Sequence, residues 1–393
     1  MRRLRFVTLS AATSLVLIGC GSDATAPPPP IGEVIGDPLP ELTAAQQAAA
    51  RRGRPLFDAI FQPDDGLGPL FNGSACATCH IEPASGGTSV RTIRIATRQL
   101  DDGSCDDLGS LGGPVYQNLR SQPLRQAIGQ GKEPIPPQAT HRSERIAPDL
   151  FGLGLLDAVP EATILALADP SDLDGDGISG RPNRAPDGRL GRFGRKAVVP
   201  TLAEFNAAAF LIEIGITSPA HPGDVGNTGR PLPPGTDPAT DPEISALQVA
   251  RVDTFIRFLA PPFRAPAGEA AARGEQLFSD IGCDGCHVPE LRTGNSPIAA
   301  LANRDVAAYT DLLLHDMGPG LQDVCQGLAS PTEFRTEPLM GLRFNQGFLH
   351  DGRAATIAQA VDLHGGEATA SRVAYRGLSE ADRNALLEFL GSL

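Results

Sequence analysis

The pentapeptides Cys76-Ala77-Thr78-Cys79-His80 and Cys283-Asp284-Gly285-Cys286-His287 constrain this chain of 393 residues more than any other feature. Two thiols three positions apart can add to the two vinyl groups of one haem. The adjacent histidine then falls beneath the iron as its proximal ligand. A redox-active dithiol would leave both histidines without a purpose, and a zinc site would need further ligands at close spacing. Two covalently attached c-type haems are therefore the expected cofactors. Cys76, Cys79 and His80 would hold one, and Cys283, Cys286 and His287 the other.

The N-terminus bears on where such a protein works. Arg2, Arg3 and Arg5 precede an apolar run from Phe6 to Ile18, and Leu17-Ile18-Gly19-Cys20 follows. A basic start, a short apolar stretch and a small residue before a junction describe a secretory signal peptide over residues 1–19. The run is too short to favour a permanent membrane span. Its ending resembles a bacterial lipobox, which would make Cys20 the lipidated N-terminus of a periplasmic lipoprotein. Gly21 in the next position points to the outer membrane. Losing three arginines with the signal takes the net charge from −13 to −16, a poor balance for binding nucleic acid. With the motif cysteines and Cys20 assigned, Cys105 and Cys325 are left. An oxidising compartment would allow them to pair.

Along the chain, residues 20–40 carry Pro27-Pro28-Pro29-Pro30 and read as a semi-rigid linker, with order expected from Glu41. An Ala- and Gln-rich stretch predicts a helix to about Phe61. An internal echo follows: Arg52-Gly53-x-x-Leu56-Phe57 precedes the first haem motif, and Arg273-Gly274-x-x-Leu277-Phe278 the second. Two similar units suggest two related domains, each with a helix before its attachment site. Asp241-Pro242-Glu243 reads as a helix start and Pro261-Pro262 as its stop. Residues 203–215, apolar on nearly all sides, predict a buried helix. Ser379-x-x-Asp382 caps a last helix, and residues 88–97 are the best strand. The predicted fold is mainly α: two cytochrome c-like haem domains with long loops, over residues 41–262 and 263–393.

The order of several longer segments resembles the di-haem oxidoreductase family, a peroxidase-like group related to bacterial di-haem cytochrome c peroxidases and to MauG. These segments are Arg145–Pro160, Asp174–Arg181, Tyr309–Gly318, Phe334–Gly341, Phe348–Ala354 and His364-Gly365-Gly366-Glu367-Ala368. The resemblance spans roughly residues 45–393. In di-haem peroxidases a His-Asp-Gly segment precedes the sixth ligand of the C-terminal haem by fourteen positions. Counting from His350 reaches His364. The resemblance thus implies His287/His364 ligation, with His350 a pocket residue beside it. For the first haem it implies a peroxide-reacting site whose distal candidates are His315 and Met317, ahead of Asp316, His141 and Glu144. The relatives place a tryptophan between their haems, whereas this chain has none; Met340 stands where the family often has one.

Asp172-x-Asp174-x-Asp176-Gly177, with the carbonyl of Ile178, resembles the first half of a calcium-binding loop. The twelfth position is Asn183 instead of glutamate, so an acidic turn is the other reading. The expected function is exported peroxidase-like chemistry. Electrons would come from a small cytochrome or copper protein, enter at the C-terminal haem and reduce peroxide at the N-terminal one. A pure electron-transfer cytochrome and MauG-like oxidation of a partner protein are the alternatives. A thiol oxidoreductase ranks lowest, because haem would consume the paired cysteines.

Overall fold

Thr43 starts the first helix of the described residues by accepting the Gln46 backbone N–H at 3.3 Å, while the Gln46 side chain accepts that of Thr43 at 2.9 Å. The structure, a computed structural model, describes residues 34–393; the signal peptide and Cys20 lie outside the described residues. Ten α-helices occur among these residues. Ahead of residue 261 they are α1 (Ala44–Phe57), α2 (Gln122–Ile128), α3 (Leu153–Asp157), α4 (Glu161–Leu165), α5 (Leu202–Ala209) and α6 (Ala246–Phe258). After it come α7 (Glu269–Asp280), α8 (Ile357–Leu363), α9 (Thr369–Gly377) and α10 (Glu380–Leu390). Long loops join them, and none is long and apolar enough to cross a membrane.

The sequence echo is a structural one. In the first copy α1 crosses α6, and a Cβ placed on Gly53 would overlap the carbonyl oxygen of Arg251 and lie 2.8 Å from the Phe255 Cβ. In the second copy α7 crosses α10, and Gly274 meets Ala385 and Phe389 in the same way, the latter at 2.7 Å. One turn beyond each glycine a phenylalanine turns inward. Phe57 packs on Phe255 at 5.1 Å and on His80 at 6.4 Å. Phe278 packs on Phe389 at 5.4 Å and on His287 at 6.4 Å.

The strand content is concentrated in one small antiparallel sheet. The first six residues of Thr92–Gln99 pair with His141–Ile146, from Thr92 opposite Ile146 to Thr97 opposite His141. Cys105–Asp106 and Val115–Tyr116 add short pairings to the same central strand. A second hairpin sets Leu314–Asp316 against Glu333–Arg335, with His315 opposite Phe334.

Apolar packing forms one cluster around Phe57, Phe151, Phe210 and Phe255, and another around Phe278, Tyr309, Leu386 and Phe389. A third draws on both halves of the chain, joining Leu156, Ile164 and Phe258 to Leu301, Leu313 and Met340. Residues 34–393 therefore belong to one compact unit. A buried ionic node ties the halves as well. Asp323 takes Arg145 Nε at 2.7 Å and Lys196 Nζ at 2.9 Å, and the Lys196 side chain is fully buried. Next to it, Cys325 is bonded to Cys105, with their Cα atoms 5.7 Å apart.

Several local expectations need correction. The helix expected from Asp241 starts instead at Ser245, whose capping box with Gln248 supplies the stronger cap. Residues 203–215 do not form a helix buried on every side. Ala203, Glu204 and Phe205 are exposed, and α5 passes into a π-helical turn over Phe210–Ile214. Order also begins before Glu41, because Leu39 donates to the Phe258 carbonyl at 2.8 Å and Ala260 to that of Asp37 at 3.0 Å.

Alanine in a helix interior normally gains stability over glycine. Gly53→Ala and Gly274→Ala reverse that sign, because the added methyl has no space at the crossing. Each is expected to cost about 1–3 kcal/mol in denaturant unfolding of the purified protein.

Candidate haem sites

Two apolar-lined cavities open beside the two motifs. Cys283, Cys286 and His287 line one, with His364 facing the same space. The His287 Nδ1–H donates to the Tyr309 carbonyl at 2.9 Å, and that of His364 to the Ala360 carbonyl at 2.7 Å. These bonds fix the tautomer and leave both Nε2 lone pairs free to bind a metal. Burial pushes His287 down to about 4 and lowers His364, so both rings are neutral, as ligation requires. His364 is presented at the C-cap of α8, whose N-cap Thr356 accepts the Gln359 N–H at 3.1 Å.

Cys76, Cys79 and His80 line the second cavity. The His80 Nδ1–H is shared between the carbonyls of Gly87 at 3.1 Å and Pro148 at 2.9 Å, so its Nε2 is free in the same manner. Among the described residues this cavity holds no second histidine; Met340 and Glu213 line it and do not line the His287 cavity. Glu213 stands in the π-helical turn, a distortion frequent at functional sites. Burial pushes its carboxyl up to about 7, while the Asn72 amide donates to it at 2.9 Å. Proton exchange near neutral pH is thus open to it.

The donor sets fit haem. Each cavity joins a free Nε2 to two unpaired cysteines. Burial raises the Cys76 and Cys283 thiols to about 12 and Cys79 to about 11, values unsuited to a reactive dithiol.

The expected distal residues of the first haem are placed elsewhere. His315 and Met317 line the His287 cavity, because the 314–316/333–335 hairpin packs on the C-terminal half; His350, expected beside His287 and His364, lines the same cavity. His141 and Glu144 sit on the sheet and line neither cavity, and Asp316 is exposed. His315 has no free nitrogen: Nε2 bonds Asp311 at 2.7 Å and Nδ1 bonds Glu367 at 2.8 Å, with the Cys286 sulfur at 3.4 Å. Burial opposes its charge, yet Asp311, Cys286 and Glu367 raise it to about 12 and hold it as an imidazolium. His350 is the opposite case. It stacks on Phe334 at 4.7 Å, and burial lowers it to about 4.

The acidic loop also groups differently. Asp169 joins Asp172 and Asp174, with one oxygen of each within 4.8 Å of the others. Asp176 is outside this set because its carboxylate turns forward to accept the Ile178 N–H at 2.8 Å. Ile178 itself lines the His287 cavity, where its Cδ1 would lie 2.6 Å from a Cβ on Gly285. Glu213, Asp149, Arg195, Arg335 and Glu337 line the cavities without having been singled out in the sequence. A lone carboxylate within the apolar run Phe210–Ile214 was a readable signal; the others gave none.

The sequence model of the family described as "Di-haem oxidoreductase, putative peroxidase" matches residues 138–393. The chain belongs to this family. Membership implies two haems and peroxidase-like oxidoreductase chemistry. The matched segment holds the second motif, and the first lies ahead of it. No curated protein matches the chain. Among solved structures, hydrazine synthase of Kuenenia stuttgartiensis is 14% identical with TM-score 0.43, the match covering 98% of this chain and 100% of that one. A MauG-like protein associated with microbial copper homeostasis is 16% identical with TM-score 0.38, covering 92% and 93%. The diheme peroxidase BthA of Burkholderia thailandensis is 17% identical with TM-score 0.42, covering 88% and 86%. Likenesses this weak carry no inference about the chain.

In this family member, burial works against the Glu367 carboxylate, but His315 and Ser179 hold it down to about 2. Its stabilisation is therefore full above the ordinary carboxylate range and is lost as pH falls from about 4.5 towards 2. Glu367→Gln should cost about 1.5–3 kcal/mol at pH 7. In thermal unfolding that difference should shrink steadily below pH 4.

Proposed function

We propose that this protein is an exported, lipid-anchored di-haem c-type peroxidase that takes electrons at the C-terminal haem and reduces peroxide at the N-terminal one. One observation carries the reading: the two cavities are unequal. The His287 cavity presents a second histidine with a free Nε2, whereas the His80 cavity presents none among the described residues. Two imidazoles suit a site that only passes electrons, and a single one leaves a coordination position for substrate.

When bound, haem supplies iron that exchanges electrons singly and can bind peroxide where a position is open. His287 and His364 would hold one iron through their free Nε2 atoms, and His80 the other. At the His80 site, Glu213 takes and returns the peroxide proton, with Asn72 fixing the orientation of its carboxyl. Ile93, Ile95 and Phe193 line that space and limit water. Each peroxide consumes two electrons and two protons and leaves as two waters. The electrons come from a small periplasmic cytochrome or copper protein. Calcium, where this chain takes it, has candidate ligands in Asp169, Asp172 and Asp174.

Met340 favours a second reading. Met340 lines the His80 cavity, and a methionine ligand there would make a six-coordinate electron carrier. Electron paramagnetic resonance of the haem-loaded protein separates the two. The peroxidase reading expects a high-spin signal that peroxide perturbs; two low-spin haems indifferent to peroxide, oxidised and half-reduced, would sink it. With Glu213→Gln, peroxide turnover should fall about 10²–10⁴-fold, and the limb of the pH profile near 7 should vanish with haem content unchanged.

A further inference from the structure

The two cavities share a wall. Ile146, Pro148 and Pro338 line both, and so do the charged residues Asp149, Arg195, Arg335 and Glu337. Glu337 accepts from Arg335 Nη2 at 2.5 Å and pairs with Arg195 Nη1 at 2.9 Å, so one carboxylate answers two guanidinium groups. Burial opposes the Glu337 charge, but the two arginines hold its carboxyl below the ordinary range. Burial and Glu337 push the Asp149 carboxyl up to about 7, so at neutral pH it offsets only part of one positive charge. The wall therefore carries an excess of buried positive charge, a state that proteins rarely leave unanswered.

The hydrogen-bond inventory points the same way. The Nε–H groups of Arg195 and Arg335 are both buried and have no acceptor. The Arg335 side chain is only 6% exposed, and the Arg195 side chain 14%. A guanidinium presents its donors as a planar fork that a carboxylate can fill with two parallel bonds. Haem brings two propionate carboxylates of its own, on the edge opposite the vinyl groups that the cysteines take.

We propose that Arg195 and Arg335 form one anion cradle shared by both sites, each cavity contributing a haem propionate to it, with Glu337 holding the two guanidinium groups in place. This rests on the reading that a haem fills each cavity. The consequence is an ionic connection between the haem edges in a chain that has no tryptophan to place between them. One buried charge then acts on both irons at once.

The test is spectroelectrochemical titration of the haem-loaded protein, with haem counted by pyridine haemochromogen. Arg195→Gln and Arg335→Gln remove positive charge from the wall and should lower the midpoint potentials of both haems. Glu337→Gln removes negative charge and should raise both, which keeps the proposal testable where an arginine variant fails to fold. Arg292→Gln, at an exposed arginine paired with Asp305 outside both cavities, should move neither. Two haems bound with only one potential shifted, or none, overturns the shared cradle and leaves the di-haem reading intact. Fewer than two haems in the unsubstituted protein overturns the di-haem reading and the cradle with it.

Discussion

The close approach of two helix pairs, at Gly53 and at Gly274, sets the geometry on which both sites depend. Each glycine lets a backbone carbonyl of the partner helix, from Arg251 or Ala385, come nearer than any side chain would permit. The phenylalanine one turn later is thereby fixed, and it presses on the histidine of the adjoining motif. Carbonyl acceptors for the histidine Nδ1 come from segments remote in sequence: Pro148 for His80, and Tyr309 for His287. A ligand is thus aimed by two constraints, a ring contact from the helix side and a hydrogen bond from the loop side.

What distinguishes the halves is what surrounds these common parts. The C-terminal half adds α8, which delivers His364 at its end, and the hairpin that brings His315 to Asp311 and Glu367. That charged trio is fully occupied with itself, so His315 serves as a fixed cation beside Cys286 and has no lone pair to offer iron. The N-terminal half adds the sheet, the π-helical turn and Glu213. Similar scaffolds consequently present different chemistry in their cavities.

The helix echo and the strand near residues 88–97 were legible because each depends on local spacing. The last helix was legible through Ser379 and Asp382, whose bond in the structure is 3.1 Å. The start of α6 was misread because Asp241-Pro242-Glu243 looks like a cap, while Ser245 and Gln248 make one. His315 and Met317 were assigned to the wrong haem because strand pairing with 333–335, invisible in local sequence, decides which cavity they face. The shared wall was illegible for a related reason. Asp149, Arg195, Arg335 and Glu337 come from segments far apart in sequence, and only tertiary packing makes them neighbours.

The bond between Cys105 and Cys325 joins the sheet of the first half to the segment that carries Asp323 and Gln326, close to the ionic node of Arg145 and Lys196. A disulfide persists only where thiols are kept oxidised. In a reducing compartment the chain would have to dock its halves without that covalent tie, relying on the ionic node and the mixed apolar cluster. The bridge spans a sequence separation of 220 residues, so it limits how far the two halves can part in the unfolded chain.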